Sequence, residues 1–181
     1  VYPIPEIKRY GSLIFPDFEL GIAFLHRLAR TSYVPASIRL VDNVQFRFGQ
    51  ALKPATTGLR ALIDKIKKFF VIKIRGFDPR KMVAATIVME GSEKEVNYQE
   101  ANVYKLAKRY QGMAAGSENG QRGYMLTYAI AYIRDFLGDF HVIGETFETS
   151  APWSKIHEGC KATEERLKAQ HQEFDLPGKP Y

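Results

Sequence analysis

Apolar positions recur along this chain at two periods, close to two in some segments and close to 3.6 in others. Tyr10–Phe15 reads as a short strand, and Asp17 then caps a helix carrying Phe18, Ile22, Leu25 and Ala29 on one side. Pro35–Asp42 is a second strand, with Ser37, Arg39 and Val41 on one face and Ile38 and Leu40 on the other. Asn43–Leu52 reads as helical. Thr57–Ile74 is an amphipathic helix striped by Leu59, Leu62, Ile63, Ile66, Phe69 and Phe70. Met82–Glu90 is a third strand with little polar alternation, hence well covered. Ser92 and Glu95 spell a capping box opening a helix to about Tyr110. Gly112–Gly116 is a short strand or turn, and Asn119-Gly120 a tight turn. Gly123–Leu137 is an apolar helix, His141–Thr149 a further strand, and Ala151–Phe174 a final helix. Long helices between short strands predict an α+β fold, an antiparallel or mixed sheet flanked by helices. No glycine fingerprint follows a strand, which argues against a doubly wound nucleotide fold.

One residue breaks the pattern of the apolar helix. At a helical period Arg134 shares its face with Thr127, Ile130, Ala131, Leu137 and Gly138. No carboxylate stands three or four residues away, and Asp135 projects from another side. An unpaired guanidinium on a buried face is very costly, so the partner is expected from another element, Glu145 or Glu148, or from an anionic ligand. Arg39, between Ile38 and Leu40 in a strand, presents the same choice between an ion pair and a ligand. Arginine suits phosphate because its planar fork bonds bidentately and stays charged.

Composition changes the picture only in places. The 181 residues predict one domain, and 45% hydrophobic with 25% charged content is ordinary for a globular chain. No run reaches the roughly eighteen apolar residues that a spanning helix needs. Cys160 stands alone, which excludes an internal disulfide and a cysteine-cluster metal site and fits a reducing compartment. His26, His141, His157 and His171 show no metal spacing and no adjacent nucleophile. The net charge of +6 is concentrated: between 53 and 81, Lys53, Arg60, Lys65, Lys67, Lys68, Lys73, Arg75, Arg80 and Lys81 face only Asp64 and Asp78. Segment 57–75 is therefore either a solvated charged face or a contact for an anionic membrane, with Phe69 and Phe70 near the interface. Nucleic acid is not expected, since no recognition module accompanies the charge. The glycine-rich Gly116–Gly123 lacks the Gly-Lys-Ser/Thr ending of a P-loop and reads as a turn into a helix, with a backbone anion site as the alternative. The opening Val1-Tyr2-Pro3 and the linker-like Leu176–Tyr181 suggest a piece of a longer protein.

Three blocks together carry a resemblance. They are Pro35–Asn43 running on to Phe46, Phe48-Gly49 and Ala51–Lys53; Asn119–Tyr124 running on to Tyr132–Asp135; and Gly144–Trp153. With the opening Val1–Glu6, the whole chain resembles the alkyldihydroxyacetonephosphate synthase family, peroxisomal flavoenzymes of ether-lipid synthesis. More loosely it is similar to the cap (substrate) domain of FAD-linked oxidases of the vanillyl-alcohol-oxidase type. The resemblance implies that 1–181 is a cap-domain fragment of a transferase. That enzyme replaces the acyl group of acyl-dihydroxyacetone phosphate with a fatty alcohol, using FAD without net redox turnover. It implies a substrate-phosphate ligand at Arg134 and an arginine needed for activity at Arg39. It also implies that FAD is held by a preceding domain, that the catalytic tyrosine and histidines lie beyond this piece, and that the fragment alone is inactive. Peroxisomal localisation is a further expectation of the same kind, whereas oligomeric state is left open, a homodimer being one option. The competing readings are the cap of a FAD-linked hydroxy-acid oxidase and a non-catalytic membrane-docking module built on the basic segment.

Overall fold

The computed structural model describes residues 3–53, 57–144 and 146–178. Four strands form one antiparallel sheet: β1 (Ile7–Phe15), β2 (Ser37–Val41), β3 (Val83–Gly91) and β4 (Met113–Ala114), in the order β2-β3-β1-β4. Six α-helices accompany it among the described residues: α1 (Phe18–Leu28), α2 (Asn43–Ala51), α3 (Gly58–Phe69), α4 (Glu93–Arg109), α5 (Ser117–Gly138) and α6 (Trp153–Glu173). The fold is α+β. The chain divides into two compact units, Val1–Ile133 and Arg134–Tyr181.

The sheet has two different faces because its side chains alternate. On one, Leu13, Phe15, Val83, Ala85, Ile87 and Met89 are buried against Phe24 and Leu28 of α1 and Val96, Val103, Leu106 and Ala107 of α4. Phe15 and Phe24 stack at 5.0 Å, and Tyr110 meets Phe24 edge-on. On the other face lies a smaller cluster of Ile14, Phe77, Met82 and Ala84, with Val41, Phe46, Val71 and Met113 packed around it. β3 is thus covered on both sides, as its unbroken apolar sequence requires.

The caps form where the sequence places them. Asp17 accepts from the Leu20 amide and Asp42 from the Gln45 amide, each at 2.8 Å. Ser92 and Glu95 make the reciprocal capping box of α4. Helix α3 continues through a π-helical turn, Phe70–Ile74, before Phe77 enters the smaller cluster.

Two expected elements are different in the structure. Asn119-Gly120 is not a turn but part of the first turn of α5. An added Cβ at Gly120 would collide with the backbone of Gly11 in β1, and one at Gly123 with the side chain of Thr86 in β3. The glycines serve close helix–sheet approach, and that contact outweighs the local turn preference. The strand expected over His141–Thr149 is absent from its described residues. Instead His141 adopts a left-handed φ of 60°, and the Val142 amide returns to the Leu137 carbonyl at 3.0 Å, closing the end of α5. Gln111 and Asp175 end α4 and α6 in the same way.

Candidate functional site

Helix α5 crosses the second face of the sheet strand by strand. Gly120 lies on Gly11 of β1, Gly123 on Thr86 of β3, and Thr127 reaches Arg39 of β2. The helical pitch of about 5.4 Å nearly matches the strand spacing of about 4.8 Å, so each turn of α5 advances one strand. Arg39 stands opposite Thr86 in the ladder, and Thr86 opposite Ser12. Ser12 is itself buried and donates to the Gly116 carbonyl at 2.7 Å, tying the entry of α5 to β1.

Arg39 donates from Nη1 to the Thr127 hydroxyl at 2.7 Å. No carboxylate among the described residues pairs with it. Three other cations of this unit do have a carboxylate partner. Lys8 meets Glu90 at 2.9 Å, Arg9 bonds Asn97 and Glu100, and Lys53 meets Asp64 at 2.9 Å. The structural ion pair that was one reading of Arg39 is therefore not what the fold builds. A hydroxyl fixes the guanidinium in place and leaves its charge intact.

Further along the same face Tyr10, Tyr124 and Tyr128 form an aromatic row, with ring centroids 5.6 and 5.8 Å apart. Lys8 lies over the Tyr124 ring at 5.0 Å, and its hydrogen bond to Glu90 raises its pKa. The Tyr128 hydroxyl donates to Tyr124, and that bond raises the pKa of Tyr128. None of these residues stood out in the sequence as a site, because tyrosines at i and i+4 read equally as packing.

Arg134 is the first residue of the second unit. Its Nε stands 3.9 Å from the Asp135 carboxylate, with the two side chains 63% and 75% exposed. The expectation of a buried charge needing a distant partner is corrected here: Ile130 and Phe136 are also more than half exposed, so water solvates this stretch. A pair so exposed is worth about 0–1 kcal/mol and leaves the guanidinium available. Of the two carboxylates expected as structural partners, Glu145 lies outside the described residues, and Glu148 is exposed and makes no pair with Arg134. The described residues contain no His/Cys/Asp/Glu cluster able to hold a metal, and no described helix is long and apolar enough to cross a membrane.

Residues 4–176 match the C-terminal domain of FAD-linked oxidases. The chain belongs to that family. It is 44% identical over 171 residues to an alkyldihydroxyacetonephosphate synthase of Caenorhabditis elegans, covering 94% of this chain and 29% of the relative. A synthase of the same name from Dictyostelium discoideum is 23% identical over 177 residues, again covering 29% of the relative. A solved structure of alkyldihydroxyacetonephosphate synthase superposes with a TM-score of 0.82 at 22% identity, over 97% of this chain and 32% of that one. This FAD-oxidase domain thus spans under a third of the length of these relatives. Its one glycine-rich segment does not fit the cofactor's pyrophosphate, because Gly120 and Gly123 are spent on contacts with Gly11 and Thr86.

Proposed function

We propose that this domain is the substrate-binding portion of an alkyldihydroxyacetonephosphate synthase. In the overall exchange the bond between the dihydroxyacetone carbon and the ester oxygen breaks, the acyl group leaves with that oxygen as a fatty acid that takes up the alcohol's proton, and the fatty alcohol's oxygen bonds to the same carbon as the new ether. The observation that carries the reading is Arg39, a guanidinium on the sheet held by a hydroxyl and left with its charge. It lies in a chain 44% identical to a synthase. Arg39 contacts the anionic substrate in the active site, and Arg134 grips its phosphate through the bidentate fork.

The test is Arg134→Lys in the flavin-loaded full-length enzyme. Loss of the fork weakens apparent affinity for acyl-dihydroxyacetone phosphate by about tenfold or more. An unchanged affinity would remove the phosphate role. Anaerobic flavin reduction by small hydroxy acids would instead support a hydroxy-acid oxidase, in which the arginines hold a carboxylate.

A second reading concerns α3. Leu59, Leu62, Ile66, Phe69 and Ile74 are all more than half exposed, beside Lys65, Lys67, Lys68 and Lys73. An apolar stripe flanked by lysines fits the interface of an anionic bilayer. Cosedimentation with phosphatidylserine vesicles is expected to fall with added salt and with Lys65, Lys67 and Lys68 changed to Gln. Binding indifferent to both would exclude this helix.

A further inference from the structure

We infer that Thr127 is a positioning residue that orients Arg39 for its anionic substrate without neutralising it. The inference rests on the active-site role proposed for Arg39. Three features of the structure carry it. First, the Thr127 hydroxyl is the partner that Arg39 has among the described residues, at 2.7 Å and across 88 residues of sequence. Second, Thr127 is held at the right height, because Gly120 and Gly123 seat α5 directly on β1 and β3, two turns and one turn earlier respectively. A larger residue at either position would lift the helix and withdraw the hydroxyl. Third, β-branching confines threonine in a helix to two χ1 rotamers, and in the one present here its oxygen accepts from Arg39.

The choice of acceptor matters chemically. A carboxylate at position 127 would hold the guanidinium more strongly but cancel its charge, as Glu90 does for Lys8. A neutral hydroxyl occupies one N–H of Nη1 and leaves the other donors of the fork for an oxyanion. Arg39 lies on an edge strand and is exposed, where a long side chain would otherwise sample several rotamers. The hydrogen bond selects one of them before substrate arrives.

The experiment compares Thr127→Val, Thr127→Ser, Arg39→Gln and the double variant Arg39→Gln/Thr127→Val in the flavin-loaded full-length enzyme. It reads kcat and KM separately, together with calorimetric affinity for dihydroxyacetone phosphate. Thr127→Val keeps the shape and removes the acceptor. It is expected to lower kcat/KM about tenfold, through whichever of kcat or KM Arg39→Gln changes, and to weaken dihydroxyacetone phosphate binding. Thr127→Ser restores most of the loss, and the double variant is no worse than Arg39→Gln alone.

If Arg39→Gln cripples the enzyme while Thr127→Val does not, the positioning role falls and the role of Arg39 stands. If Arg39→Gln is silent, both fall. If Thr127→Ser is as defective as Thr127→Val, or if the two losses add in full, Thr127 acts through packing and the inference is overturned.

Discussion

At the scale of single residues, the deciding question was where each cation finds its counter-charge. Arg39 and Arg134 are both legible in the sequence as basic residues among apolar neighbours, but their surroundings were not. Ion pairing depends on side chains brought together from distant positions, and sequence periodicity reports only one element at a time. Thr127 is the clearest case: as one hydroxyl in an apolar helix it carries no signal until Arg39 is placed 2.7 Å away. The same holds for Gly120, whose pairing with Asn119 reads locally as a turn. Gly120→Ala is expected to destabilise the protein by about 1–3 kcal/mol or more, since its Cβ has only the Gly11 backbone to displace. Equilibrium urea unfolding measures this, and a change below about 0.5 kcal/mol would show that α5 moves off the sheet without cost.

At the scale of elements, local chemistry was a good guide wherever it was self-contained. Asp17, Asp42 and the Ser92–Glu95 box each cap the helix that the sequence assigns them, because a cap involves only residues three apart. Hydrogen bonds from the Ser92 hydroxyl and amide hold Glu95 below its ordinary pKa of 4.5. A lowered folded-state pKa contributes stability above the unfolded value and loses it as pH falls through the folded one. Ser92→Ala should therefore lower Tm at pH 7, and the gap to the unaltered protein should narrow below about pH 4.5. A gap of constant size across that range would separate the cap from Glu95 ionisation. The segment after α5 shows the opposite case. Val142, Ile143 and Phe147 look strand-forming, yet a strand exists only with a neighbour to pair with, and the described residues of 141–149 have none.

At the scale of the whole molecule, apolar sequence divides into what this domain buries and what it leaves open. Phe24 is fully buried between α1, the sheet and Tyr110, whereas Phe69 on α3 is 58% exposed. Phe24→Ala is expected to cost about 3–5 kcal/mol in urea unfolding. Phe69→Ala should change stability by no more than about 0.5 kcal/mol and show its effect in vesicle binding. Equal losses from the two would mean that α3 is a core element. By itself the sequence determined the helices that carry their own caps and stripes, the strands β1, β2 and β3, the α+β class, the basic segment and the blocks that carry the family. Each of these rests on residues close together in the chain. Tertiary structure alone decided that α5 sits on the sheet through two glycines, that Thr127 meets Arg39, and that Arg134 is solvated with Asp135 beside it. Those depend on which surfaces meet and at what distance, and spacing along a chain does not encode that.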